Sequence, residues 1–225
     1  MELVKKNSDL IAKWKKERPE YDHFAVDGIL NYSTFEKQIP KIMFLLKEPN
    51  DNFVKIAPIE ENSKGYGPKG NSNLFWRFMR GYEHVITIAW NNHKYSENEI
   101  RSKSQTPNIN TAYVNVKKQC DNNRSSKNKE IESFAEKDKE LLIEQIELIN
   151  PNIIYCAGTF SSYKILDREV KIIAPRVYES EKRIVIDFYH LAHRKGYKTF
   201  KELHNLVSKV DYEKYRNKKK TNHNN

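Results

Sequence analysis

The hydrophobic positions of this chain fall into two kinds of pattern. Short apolar runs stand within 41–46, 112–116, 153–157 and 184–189, bounded by Pro, Gly, Asn or charged residues. Such runs fit strands buried on both faces, as in a parallel sheet. Between them, apolar residues recur at three- and four-residue spacing. Leu3, Leu10, Ile11 and Trp14 predict a first helix that ends before Pro19. Leu74, Phe75, Phe78, Met79 and Tyr82 predict a second, starting near Ser72. Phe134, Leu142, Ile146 and Ile149 predict one long helix over 130–149. Gly158-Thr159 opens another through Phe160 and Leu166, and Phe200, Leu203, Val207 and Val210 predict a last one over 198–210. Val85 to Ala89 reads as an extra short strand, and the polar, aperiodic stretch 91–110 as loop. The alternation predicts an α/β fold, a three-layer α/β/α sandwich with a mostly parallel central sheet.

Residues 1–215 read as a single domain, long enough to bury a core, and 216–225, with Lys218-Lys219-Lys220, as a disordered basic tail. A loop rich in Gly, Pro, Asn and Lys spans 50–73; a loop of that length in a compact domain is often functional.

Three of the apolar runs stop at a polar residue able to do chemistry. The run 42–46 leads into Lys47-Glu48-Pro49-Asn50, the run 112–114 into Asn115, and the run 184–189 into His190. Ligands of open α/β sheets sit outside the carboxyl ends of the strands. Glu48, Asn115 and His190 are therefore expected to share one crevice.

Charge adds a partner class. The chain carries a formal net charge of +10, which fits a polyanionic partner and equally fits a lysine-rich proteome. Cys120 and Cys156 offer neither a disulfide framework nor a four-thiolate site, and Cys156 reads as a buried thiol. No apolar run approaches a membrane span, and the charged segment from Met1 to Lys16 lacks a signal-peptide core, so the expectation is a cytoplasmic protein.

Four stretches together resemble the uracil-DNA glycosylase superfamily over residues 40–205. Leu46-Lys47-Glu48-Pro49-Asn50 matches the family's proline-containing acidic turn after its first strand. "AYVNVKKQ" (112–119) is similar to the strand that presents a base-reading Asn, which falls on Asn115. "NPNIIYCAGTFSSYKIL" (150–166) looks like the strand-Gly-helix segment, and "DFYHLAHR" (187–194) stands where the family places a histidine motif, with His190 on the histidine. The chain departs at Leu46 and Lys47, where the family has a glycine-containing approach. It departs at Glu48, which stands where an Asp or Asn commonly acts, and again after His190, where Leu-Ala replaces Pro-Ser. The four-cysteine cluster of one branch is absent.

The resemblance implies a uracil-DNA glycosylase-like fold and a monomeric hydrolase, free of metal and cofactor, acting on single- or double-stranded DNA. Glu48 would orient water or stabilise the cationic sugar, and His190 would donate to charge developing on the base. Asn115 would read a pyrimidine edge, Asn50 would screen its C5 substituent, and Tyr66 or Phe53 would stack on it. Lys47, Lys117, Lys118, His193 and Arg194 would hold phosphates. Each residue also has a plainer reading. Glu48-Pro49-Asn50 is ordinary turn chemistry, Asn115 can bond a neighbouring loop, and His190 can be a satisfied core histidine. Two other functions stay open: a nucleic-acid-binding module on the same fold without catalysis, and an α/β hydrolase with a small-molecule substrate.

Overall fold

The computed structural model describes residues 2–49, 74–106, 110–119, 126–181, 183–191 and 196–216. Seven strands form one sheet: β1 (Gly28–Ile29), β2 (Ile42–Leu46), β3 (Ala112–Asn115), β4 (Ile153–Ala157), β5 (Lys171–Ala174), β6 (Val177–Glu179) and β7 (Ile184–Phe188). Their order across the sheet is β1-β3-β2-β4-β7-β6-β5. The four central strands, β3, β2, β4 and β7, run parallel. β1 pairs antiparallel with β3 at one edge, and β6 and β5 close the other edge antiparallel. The four strands expected at 41–46, 112–116, 153–157 and 184–189 are present as β2, β3, β4 and β7. Every residue of β2, β3 and β4 is buried, which is why their sequences read as unbroken apolar runs.

Eight helices are described: α1 (Glu2–Glu17), α2 (Tyr32–Phe35), α3 (Leu74–Trp90), α4 (Glu97–Ser104), α5 (Asn128–Lys137), α6 (Lys139–Ile149), α7 (Phe160–Leu166) and α8 (Lys198–Val207). They cover both faces of the sheet. Ile42, Phe44 and Leu46 of β2 pack with α3, α4 and α8, whereas Met43 and Leu45 pack with α1, α5, α6 and α7. Alternate residues of one strand thus feed two cores.

Four expectations change. Val85 to Ala89 is not a strand but the continuation of α3, burying Val85, Ile86 and Ala89 along the stripe begun by Phe78 and Tyr82. The stretch 91–110 holds α4, whose Ser96 side chain accepts from the Glu99 N–H as its cap. The long helix over 130–149 is two helices that meet at Asp138. The Asp138 carboxylate accepts from Arg18 Nε at 2.7 Å and Tyr21 Oη at 2.8 Å, so the break ties α1 to the pair. Arg216 lies within a helical turn, 213–216, beside the buried Tyr212 and Tyr215; the rest of the basic tail lies outside the described residues.

One packing contact sets the spacing of α3 and α8. A Cβ added at Gly81 would overlap the ring of Phe200, which is fully buried among Phe78, Tyr82 and Tyr197. Gly81→Ala gains up to about 1 kcal/mol of helix propensity but forces the two helices apart at a cost of about 1–3 kcal/mol. The net result expected is a thermal midpoint lowered by about 2–6 °C in a melt followed by circular dichroism.

Candidate functional site

The parallel strands share a level carboxyl rim. Their register sets Asn115 beside Leu46 and Ala157 beside Phe188, with Leu45 beside Cys156. Glu48 and His190 each lie two residues beyond that row. β2 and β4 are neighbours whose connections leave toward opposite sides of the sheet, β2 toward β3 and β4 toward β7. That is the switch point at which α/β sheets open a ligand crevice. Glu48 and His190 leave the rim about two strand spacings apart, roughly 10 Å.

Backbone bonds hold the rim in place. The Val116 N–H donates to Leu46 O at 2.9 Å and the Lys117 N–H to Lys47 O at 2.9 Å, which extends the β2–β3 ladder up to Glu48. Thr159 Oγ1 donates to Leu45 O at 2.8 Å, and the Gly158 N–H to Phe188 O at 3.0 Å, joining the turn after β4 to both neighbours. Gly158 takes φ +72°, a conformation in which a side chain is strained, and its nearest side-chain neighbour is Lys47 Cε.

The Glu48 side chain is fixed from the α5 side. Its Oε1 accepts the Ser126 N–H at 2.6 Å. Ser126 Oγ donates in turn to Glu130 at 3.1 Å, and Lys117 Nζ reaches the same Glu130 oxygen at 2.6 Å. Glu48 Oε2 is buried and has no hydrogen-bond partner among the described residues. A buried acceptor without a protein partner is uncommon and calls for an explanation, such as a water, an ion or a catalytic role.

Asn115 is 3% exposed and faces inward onto Asp27. Its backbone N–H donates to Asp27 Oδ2 at 2.7 Å and its side-chain Nδ2 to the same oxygen at 3.0 Å. Lys118 Nζ donates to Asp27 at 2.6 Å and 2.8 Å and to Gln145 Oε1 at 2.8 Å. Gln145 Nε2 completes the ring by donating to Asp27 Oδ1 at 2.9 Å. The Lys118 ammonium also sits 4.7 Å from the centre of the Trp14 ring. Burial pulls this ammonium below its ordinary value, and Asp27 opposes that shift.

These contacts correct the phosphate role expected of Lys117 and Lys118, and they take up one of the two amide N–H donors of Asn115. Lys117 and Lys118 turn their amines into internal ion pairs, with side chains 2% and 0% exposed, so neither offers a cation to a phosphate. Lys47 remains half-buried at the rim.

His190 is half-buried and follows β7 directly. Tyr155 Oη, from β4, donates to the carbonyl of Tyr189 at 2.8 Å and so anchors the backbone from which His190 projects. Asn50, Phe53, Tyr66, His193 and Arg194 lie outside the described residues. Asp27, Gln145, Ser126 and Tyr155 support the site and carry no motif. The one available signal was Asp27 itself, a lone acid within Ala25-Val26-Asp27-Gly28-Ile29-Leu30. Cys156 is a buried, unbridged thiol whose burial pushes it far above its ordinary value, and it offers no nucleophile.

Among the described residues no group of three or more His, Cys, Asp or Glu side chains is arranged to hold a metal ion, and no helix is long and apolar enough to cross a membrane. No protein-family model matches the chain, and no curated protein matches it in sequence. The mixed α/β sheet and its rim therefore define a class of architecture, and function has to be argued from the site.

Proposed function

We propose that this protein is a DNA glycosylase-type hydrolase that takes a uracil-like or modified pyrimidine out of a DNA strand and cleaves its N-glycosidic bond with water. The observation that carries this reading is the unpartnered, buried oxygen of Glu48 on a rim that also holds His190. A carboxylate oxygen without a protein partner suits a group that orients water and takes its proton. In the reaction the water oxygen bonds to the sugar C1′ and the C1′–N bond breaks. The electron pair leaves on the base, and His190 donates a hydrogen bond to the base oxygen that carries the charge. Extruding the nucleotide costs a few kcal/mol, least for a mismatched or single-stranded base. The +10 net charge favours the polyanion that supplies it.

One observation favours a second reading, a nucleic-acid-binding module on the same fold that lacks catalysis. Asn115, the residue expected to read a pyrimidine edge, is 3% exposed and gives one of its two amide N–H donors to Asp27. Incubation with duplexes and single strands carrying uracil, hydroxymethyluracil, hypoxanthine or bulky modified cytosines separates the two. Abasic sites formed on at least one substrate support the glycosylase. Binding that weakens steeply with salt, without release of any base, supports the module. An absence of DNA binding in low salt sinks both.

A further inference from the structure

α2, the turn after it, α3 and α4 border a cavity of about 620 Å³ on the flank of the sheet. Lys37 and Gln38 on its wall precede the amino end of β2, and Asn110 precedes that of β3. The cavity thus lies at the strand ends opposite Glu48, separated from it by the length of β2, about 16 Å. Its volume falls within the ~300–1,000 Å³ of small-molecule sites.

The residues that line the cavity are all charged or polar in type. Lys37 comes from the turn after α2, Arg80 from α3 and Lys103 from α4, while Thr34, Thr87 and Thr106 add hydroxyls. Arg80 is 6% exposed; its Nε donates to Ser104 O at 2.9 Å, and its Nη2 has no partner among the described residues. Gln38 supplies the complementary orphan. Its Nε2 donates to Glu83 Oε1 at 3.3 Å, and its own Oε1 is buried without a partner among the described residues.

Glu83 is the acid of the group. Burial raises its carboxyl to about 7, against the opposing pull of the Gln38 amide, the Asn110 N–H and the Arg80 cation. Near neutrality it is therefore divided between carboxylate and acid, and the acid form can donate to an anion. His84, on the same helix, is paired with Glu99 of α4 at 3.0 Å, and burial holds its imidazole below the ordinary value. The standing positive charge of the cavity comes from Lys37, Arg80 and Lys103.

We infer that this cavity binds a small molecule bearing one phosphate or carboxylate group on a polyhydroxylated body, with the anion drawn by those three cations. A ligand hydroxyl is both donor and acceptor, which is what an orphan guanidinium nitrogen and an orphan amide oxygen require. This site is independent of the rim and of any reaction there.

Calorimetric titration of the full chain with ribose 5-phosphate, gluconate and inorganic phosphate tests the inference. Saturable binding is expected for at least one of the two polyols, tighter than for inorganic phosphate, and the choice between them reports phosphate or carboxylate. Lys37 and Lys103 are exposed, so the double variant Lys37→Glu/Lys103→Glu keeps the fold; it is expected to weaken binding about tenfold. Gluconate holds its charge between pH 6 and 8. Its binding should tighten toward pH 6 as Glu83 protonates, and Glu83→Gln should remove that dependence. No saturable binding of any of the three, inorganic phosphate binding as tightly as the polyols, or wild-type affinity in the double variant each overturns the inference.

Discussion

Asp27→Ala is expected to destabilise the fold by about 3–5 kcal/mol, the loss that follows when one partner of a buried ion pair is removed. Asp27 is 1% exposed and collects donors from Lys118, Gln145 and the backbone and side chain of Asn115. Its removal leaves the Lys118 ammonium with Gln145 and the Trp14 ring, and orphans the Asn115 N–H at the end of a central strand. A domain of ordinary stability holds only about 5–15 kcal/mol, so the loss takes a large fraction of it. The sign with pH follows from Lys118, whose folded-state value is already lowered by burial. Without Asp27 it falls further, so the unfolded chain binds more protons than the folded one over a wider window. Stability of Asp27→Ala should therefore recover as pH rises from 7 toward 10. Urea unfolding at both ends of that range reads this directly. The double variant Asp27→Ala/Lys118→Met should regain most of the loss, because an apolar side chain needs no counter-charge there. A double variant no better than the single would mean that Asp27 acts through Asn115 and Gln145 rather than through the lysine.

The parts of this fold legible in the sequence are those where one physical effect dominates. β2, β3, β4 and β7 lie between two helical layers, so burial on both faces wrote itself as continuous apolar runs. The same reasoning misreads Val85 to Ala89, because a short apolar run has no period of its own and here simply extends the α3 stripe. α4 buries only Ile100 and Ser104 and leaves almost no apolar pattern, yet Ser96 and Glu99 formed a readable capping signal. β5 is partly exposed and β6 is only three residues long, too slight for alternation to register. The break at Asp138 depends on Arg18 and Tyr21, more than a hundred residues away, and no local rule reaches that far.

The site divides in the same way. The level placement of Glu48 and His190 on one rim follows from where their strands end, and strand ends are local. What surrounds them is not: the inward turn of Lys117 and Lys118 depends on Glu130, Asp27 and Gln145, each brought in by a different element. A lysine pair after a strand reads as a phosphate contact until the acids that face it are known.

Glu48→Gln is expected to lower the single-turnover rate of base release by about 10²–10⁴-fold while DNA affinity changes less than about twofold. The substitution keeps the shape of the side chain and an oxygen able to accept the Ser126 N–H, so the clamp from α5 survives and only the charge and the proton acceptor are lost. His190→Ala removes a donor aimed at the leaving base, and about 10²–10³-fold is expected from that loss. If Glu48 orients the attacking water and His190 meets the leaving base, both losses should fall on the single-turnover rate and neither on DNA affinity. Tyr155→Phe adds a control for position, because it removes the hydroxyl bond to the Tyr189 carbonyl behind His190 without touching the rim itself. A smaller loss than that of His190→Ala, confined to the single-turnover rate with DNA affinity unchanged, marks Tyr155 as a positioning residue. Base release by Glu48→Gln at the wild-type rate would remove the carboxylate from the mechanism and return the rim to a binding role.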